Sequence, residues 1–173
     1  MLKTLLGTNS AKRLATDLCV SLSLRARDPV FFAALGVPDT IDGRFDMIVL
    51  HAWLVLERLR ALQMNDVSQA FVNLLFVSFD ESLRELGVGD IGIGHRVKKM
   101  ADAFYGRLAA YGAAGEQGAL EQAIRRNIFR TETGHDGDAA VLSKYVRSAQ
   151  AHIADCDLTR QAADFGPLPI PAG

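Results

Sequence analysis

A chain of 173 residues is the length of one domain, long enough to bury about 70% of the surface its unfolded form exposes. Nineteen basic against twenty acidic residues leave a net charge of −1, so no global field marks it for nucleic acid or an acidic substrate. The hydrophobic share of 49% suits a soluble globular domain, and no run approaches the ~18 apolar residues of a membrane span.

Nearly every segment follows the helical period. Asn9 or Ser10 caps a first helix that carries Leu14, Leu18 and Leu22 and runs to about Leu24. Lys3, Lys12 and Arg13 ahead of Asp17 are faintly like a transit peptide, but the leucine stripe marks mature sequence. Asp28-Pro29 is an N-cap with proline at the first helical position, and Gly36 closes that short helix. Val37-Pro38-Asp39 is a break. The next helix is the most apolar: Phe45, Ile48, Val49, Ala52, Leu56 and Leu59 make one face, while Met47, Leu50 and Leu54 cover much of the other. Such a helix belongs at the centre of a bundle, with Trp53 as a bulky anchor. Asn65-Asp66 turns into a fourth helix with Phe71, Leu75, Phe79, Leu83 and Leu86 on one side.

Four glycines then fall within eight residues, Gly87 to Gly94. Gly87-Val88-Gly89-Asp90-Ile91-Gly92 satisfies GxGxxG, but that fingerprint needs a preceding strand, and Phe79 to Leu86 reads as helix. His95-Arg96 after Gly94 likewise departs from a phosphate-binding Lys-Ser/Thr. The stretch therefore reads as a helix C-cap at Gly87 and a tight loop reaching Gly94. A fifth helix follows with Val97, Met100, Ala101, Phe104, Leu108 and Tyr111, and a sixth with Leu120, Ala123, Ile124 and Ile128. Gly134 to Asp138 caps a last helix whose Ala139, Leu142, Val146, Ala149, Ile153 and Cys156 alternate by three and four. Gly166 to Pro171 forms an extended, proline-limited tail. With no alternating strand, the fold class is all-α: a single compact bundle of six or seven helices with a glycine-rich loop at 87–94.

The chemistry of an enzyme is missing from this pattern. His51, His95, His135 and His152 form neither HExxH nor a cluster with Cys19 or Cys156, which read as two thiols in a reducing compartment rather than one long-range disulfide. Asp136-Gly137-Asp138 begins like a calcium loop, but Ala140 stands at the next ligand position. No catalytic residue, metal or cofactor is predicted. Arg96, Lys98 and Lys99, and then Arg125, Arg126 and Arg130, read first as solvated helix faces and second as a patch for anionic lipid or RNA. Two rival functions stay open at this point. One is a haem- or quinone-binding bundle with His51 or His95 as ligand; the other is an RNA- or ribosome-binding adaptor using Arg125, Arg126 and Arg130.

Two separated segments carry a resemblance. The first is Asp39-Thr40-Ile41-Asp42-Gly43-Arg44-Phe45-Asp46-Met47, leading into Leu50-His51-Ala52-Trp53-Leu54-Val55-Leu56. The second is Leu83-Arg84-Glu85-Leu86-Gly87-Val88-Gly89-Asp90, with Gly94-His95-Arg96-Val97-Lys98, Met100 and Ala103-Phe104-Tyr105-Gly106-Arg107. In this order they resemble the ubiquinol–cytochrome c chaperones, assembly factors of respiratory complex III, over roughly residues 28 to 155. The resemblance implies a helical, non-enzymatic protein that escorts newly made cytochrome b into complex III. On this reading, residues 1–27 are an N-terminal helical segment, 28–157 the chaperone-like helical domain and 158–173 a C-terminal tail.

Mitochondrial members carry a longer N-terminal extension and act with a small partner protein near the ribosome. This chain begins almost at the core and so resembles a bacterial member, expected in the cytoplasm or peripheral to the inner membrane. Contacts with the ribosome and with a small partner are suggested by the resemblance alone. A partner-binding surface is expected around His51, Trp53, Gly87, Gly89, Asp90, Lys98, Tyr105 and Gly106, with the central helix and the glycine loop bordering an apolar groove for client helices.

Overall fold

An all-round apolar helix is stable only when neighbours cover it on several sides, and α3 (Ile41–Ala61) has them. It packs against α1 (Leu2–Ala26), α4 (Asn65–Glu85), α5 (Asp90–Gly112) and α7 (Asp136–Asp155). The short helices α2 (Pro29–Ala33) and α6 (Gln117–Ile124) complete the bundle, and α6 runs into a π-helical turn, Arg125–Phe129. This computed structural model describes residues 2–85, 90–115, 117–130, 134–159 and 162–170, with side chains described for all of these except 2–8, 90–93 and 117. The described residues form no strand, and no helix among them is long and apolar enough to cross a membrane.

The helical stripes dictate the packing. α1 buries Ala15, Leu18, Leu22 and Ala26, and α4 buries Val67, Phe71, Leu75, Phe79 and Leu83 every fourth residue, so the two lie against each other over much of their length. α7 buries Ala139, Leu142, Val146, Ala149 and Ile153, the three–four alternation of its sequence. Cys19 and Cys156 are both free thiols, and burial pushes the Cys19 thiol up to about 11, which keeps it unreactive.

Three boundaries differ from the sequence reading. α1 begins at Leu2, and Asn9 and Ser10 lie on its exposed side rather than capping it. α5 begins at Asp90, so Gly92 and Gly94 belong to a helix and not to a loop; only residues 86–89 separate α4 from α5, and they lie outside the described residues. A Cβ on Gly94 would meet nothing within 4 Å, so the glycine weakens the helix without any contact requiring it. The third difference is the tail. Residues 162–170 are extended as expected, yet Phe165 turns inward and is 2% exposed.

Local rules fix the start of α3. Thr40 is its N-cap, its hydroxyl accepting from the Gly43 amide at 3.1 Å. The incoming chain crosses so tightly that a Cβ on Gly43 would lie 1.9 Å from the Pro38 carbonyl oxygen. Only glycine fits there.

In the middle of α3, His51 is fully buried. Nδ1 lies 2.8 Å from the Met47 carbonyl oxygen, which can only accept, so Nδ1 carries the proton and donates. Nε2 then accepts from the Tyr145 hydroxyl, also at 2.8 Å. Phe31 and Phe165 pack edge-on to the imidazole at 5.5 and 5.2 Å between centroids. Arg25 lies over the Phe165 ring at 5.9 Å and donates to the Gly166 carbonyl at 2.7 Å, tying the tail to α1. Burial lowers the His51 pKa to about 4 and keeps the ring neutral.

Two outcomes follow from this packing. Gly43→Ala forces the Pro38 crossing apart and should remove about 3 kcal/mol of stability, a fall in Tm of roughly 6–12 °C in a thermal melt. His51 titrates near 6.5 when unfolded and near 4 when folded, so its neutral form stabilises the fold above pH 6.5, and that contribution is lost as pH falls toward 4. The stability difference between wild type and His51→Gln, from urea titrations, should therefore widen by about 3 kcal/mol from pH 4 to pH 6.5 and stay constant above.

Candidate partner-binding groove

Asp46 sits just over one turn inside the most apolar helix, so the fold must bring it a cation. It brings two. Arg107 of α5 places Nη2 2.7 Å from Asp46 Oδ1, as an ion pair off the axis of an aligned hydrogen bond. Arg130 donates from Nη2 to Asp46 Oδ2 at 3.2 Å and lies 3.8 Å from Asp42 Oδ2. Asp46 has no exposed surface, and burial pushes its pKa up to about 6 against the downward pull of both arginines.

The neighbouring geometry holds these arginines in place. The Arg107 guanidinium lies 5.3 Å from the centre of the Phe45 ring, which packs edge-on against Phe79 of α4 at 5.2 Å. Arg130 follows the π-helical turn with φ at +57°, a backbone conformation that a residue with a side chain seldom takes. Strained backbone and π-turns gather at functional sites because surrounding contacts must hold them, here the two carboxylates of α3.

Above this clasp lies a groove of about 360 Å³. Its apolar surface comes from Ile41 and Phe45 of α3, Leu83 of α4, and Met100 and Ala103 of α5. Arg96, Lys99, Arg107 and Arg130 make its rim basic, with Asp42 the one acid among the described residues. The first resemblance segment supplies the α3 wall, and the second supplies Leu83 and all of the α5 wall except Lys99. Both segments thus meet at one concave surface. A larger hollow, of about 580 Å³, runs between α1 and Leu158, Thr159 and Ala162, away from both.

The sequence-predicted site residues separate into three groups. His51 and Trp53 are 0% and 4% exposed, so neither borders the groove; their side chains form the core beneath it, Trp53 against Tyr111 at 5.8 Å between rings. The apolar period of α3 has no exposed side at their positions, which is why a surface role there is corrected. Lys98 and Tyr105 are exposed and seven residues apart on one face of α5, roughly half a turn around from Arg96, Met100 and Arg107. Gly106 is exposed, and a Cβ there would meet nothing within 4 Å. Asp90 opens α5 with its side chain outside the described residues, where Gly87 and Gly89 also lie.

Sequence reasoning missed Asp46 and Arg107 as a pair. The signal was present: an acid inside an otherwise apolar helix must find a buried partner.

Three of the residues named for the rival readings are engaged within the fold. Both nitrogens of His51 are engaged, and among the described residues no group of three or more His, Cys, Asp or Glu could hold a metal ion. Of the three arginines proposed for RNA, Arg125 is paired with Asp136 and Arg130 with Asp42 and Asp46.

The family model described as ubiquinol-cytochrome C chaperone matches residues 33–162, which include both segments, Asp46, Arg107 and Arg130. The chain belongs to the ubiquinol-cytochrome c chaperone family. Among relatives, ubiquinol-cytochrome-c reductase complex assembly factor 1 of Xenopus laevis is 22% identical over 121 residues, 68% of this chain and 60% of that protein. The assembly factor 1 of Mus musculus is 22% identical over 127 residues, 71% of this chain and 43% of that protein. This chain therefore spans 60% and 43% of the length of the two relatives. The crystal structure of the Cbp3 homolog from Brucella abortus superposes with a TM-score of 0.80 at 32% identity, covering 95% of this chain and 98% of that one. The helical bundle is thus the fold of this family.

The clasp makes a direct prediction. Asp46→Ala leaves the Arg107 side chain, 15% exposed, without its acid and should destabilise by about 3 kcal/mol in urea titration. Replacing both as Asp46→Leu and Arg107→Met should recover a large part of that loss.

Proposed function

We propose that this protein is a non-enzymatic assembly chaperone for the ubiquinol–cytochrome c reductase complex and that it holds newly made cytochrome b in the α3–α4–α5 groove. The observation that carries the reading is the meeting of both resemblance segments at one apolar, basic-rimmed concavity in a chain of the ubiquinol-cytochrome c chaperone family. The names of the frog and mouse relatives as assembly factors of that complex support the same reading.

The proposed mechanism is differential exposure. A client helix awaiting assembly presents apolar side chains that would otherwise aggregate, and a groove between helices covers them by helix-in-groove contact. The groove is small, so the chaperone stays soluble when empty. The Asp46 clasp keeps α5 and the residue after the π-turn at a fixed spacing from α3, so the groove is formed before the client arrives and little ordering opposes binding. Lys98, Tyr105 and Gly106 offer a second candidate contact surface, on the far side of α5 from the groove, and Gly87, Gly89 and Asp90 remain candidate contact residues. His51 and Trp53 act by holding α3 in place. The protein works peripherally, at the membrane that receives the complex.

Deleting the gene in its own host should remove cytochrome b and the assembled complex from reduced-minus-oxidised membrane spectra and immunoblots, with other cytochromes and the transcript intact. Met100→Glu, a half-buried position on the groove wall, should reproduce that loss with the chaperone still folded by circular dichroism. Normal levels of the complex in both strains, under conditions that demand it, would contradict the proposal.

A further inference from the structure

The rim charge of the groove specifies the occupant more closely than its apolar floor does. Among the described residues, four cations and a single carboxylate line it. Arg107 and Arg130 are committed to Asp46 and Asp42. Arg96 and Lys99 are different: both are exposed, and among the described residues neither has a carboxylate partner. They lie three residues apart on α5, on the same side of that helix as Met100, so they stand at the edge of the apolar floor. From Arg96 to Arg107 the wall is about 16 Å long, three helical turns, enough for anchors at i, i+4 and i+7 on a partner helix, which span about 10 Å, and one flanking turn beyond them.

We propose that the groove takes an amphipathic helix whose apolar anchors are flanked by one or more carboxylates, and that Arg96 and Lys99 read those carboxylates. This rests on the reading of the groove as a client site and adds the polarity the client segment must have. The anchors fill the space between Ile41, Phe45, Leu83 and Met100. A carboxylate one turn from the anchors then falls beside the two free cations, where opposite charges at an interface rim set orientation and speed association. A basic or neutral flank would leave those cations unanswered, and a basic one would meet repulsion. The selection acts against wrong segments as much as for the right one.

The test uses the full chain and three fluorescein-labelled, helix-stapled 14-residue peptides with leucine at the three anchor positions, differing only in glutamate, glutamine or lysine at the flanking position. Fluorescence anisotropy should show the glutamate peptide binding at least tenfold more tightly than the glutamine peptide. In Arg96→Glu/Lys99→Glu, whose exposed positions leave the fold intact, the preference should invert toward the lysine peptide. Equal binding of the glutamate and glutamine peptides, or a preference unchanged by the charge reversal, would overturn the proposal. So would binding of the wild type to phosphatidylglycerol vesicles with no binding of any peptide, because it would assign the cations to a lipid surface.

Cytochrome b co-purification from host membranes separates this proposal from the one beneath it. Loss in both Met100→Glu and the charge-reversed variant supports both. Loss in Met100→Glu alone retains the groove and rejects the acidic flank. Retention in both rejects the groove as client site and this inference with it.

Discussion

A carboxylate buried in the central helix is the constraint on which the arrangement around it depends. Asp46 stands where α3 is covered on all sides, and an isolated charge in that position would cost more free energy than a small domain has to spare. Its neutralisation by Arg107 and Arg130 ties together three parts of the chain that share no continuous apolar stripe: the start of α3, the middle of α5 and the residue after the π-turn. A hydrophobic contact tolerates sliding by an ångström or more. A clasp of two guanidiniums on one buried carboxylate tolerates much less, because separation leaves the charge uncompensated in a low-dielectric interior. The groove above it inherits that definition.

Two faces of α3 are accordingly built on different principles. Around His51, every polar atom on the ring has a partner, and Phe31, Tyr145 and Phe165 close around it. Along the seam with α5, the Trp53 indole nitrogen, the Tyr111 hydroxyl and Arg107 Nε find no hydrogen-bond partner among the described residues. A satisfied buried network stiffens its surroundings. The tail reinforces the stiff side, with Phe165 against His51 and the Gly166 carbonyl bonded to Arg25.

The helices and their order were legible in the chain because each carries its own stripe: Val67, Phe71, Leu75 and Phe79 repeat every fourth residue, and Ala139, Leu142, Val146 and Ala149 alternate by three and four. The all-round apolar character of α3 correctly placed it at the centre, and that same character should have withdrawn His51 and Trp53 from any surface role. Boundaries were harder to read where glycine was involved. Gly92 and Gly94 signal a loop by propensity, yet the helix begins at Asp90, since tertiary packing of α5 outweighs a few tenths to one kcal/mol per glycine. Gly43 shows the opposite case, a glycine required by a close backbone crossing that no local pattern announces. The groove itself could not be read from spacing, because Asp46, Arg107 and Arg130 are far apart in sequence and meet only in the fold. The resemblance segments did mark its walls, although the individual residues first singled out were mostly beneath it or beside it.

The most direct test of the account is site-specific photo-cross-linking in host cells, with benzoylphenylalanine placed at Met100 on the groove wall and, as the comparison, at Lys144 on the exposed side of α7. The account predicts a cytochrome b adduct from position 100 and none from position 144. Adducts of equal yield from both positions, or from 144 alone, would contradict the assignment of the groove as the client-binding surface.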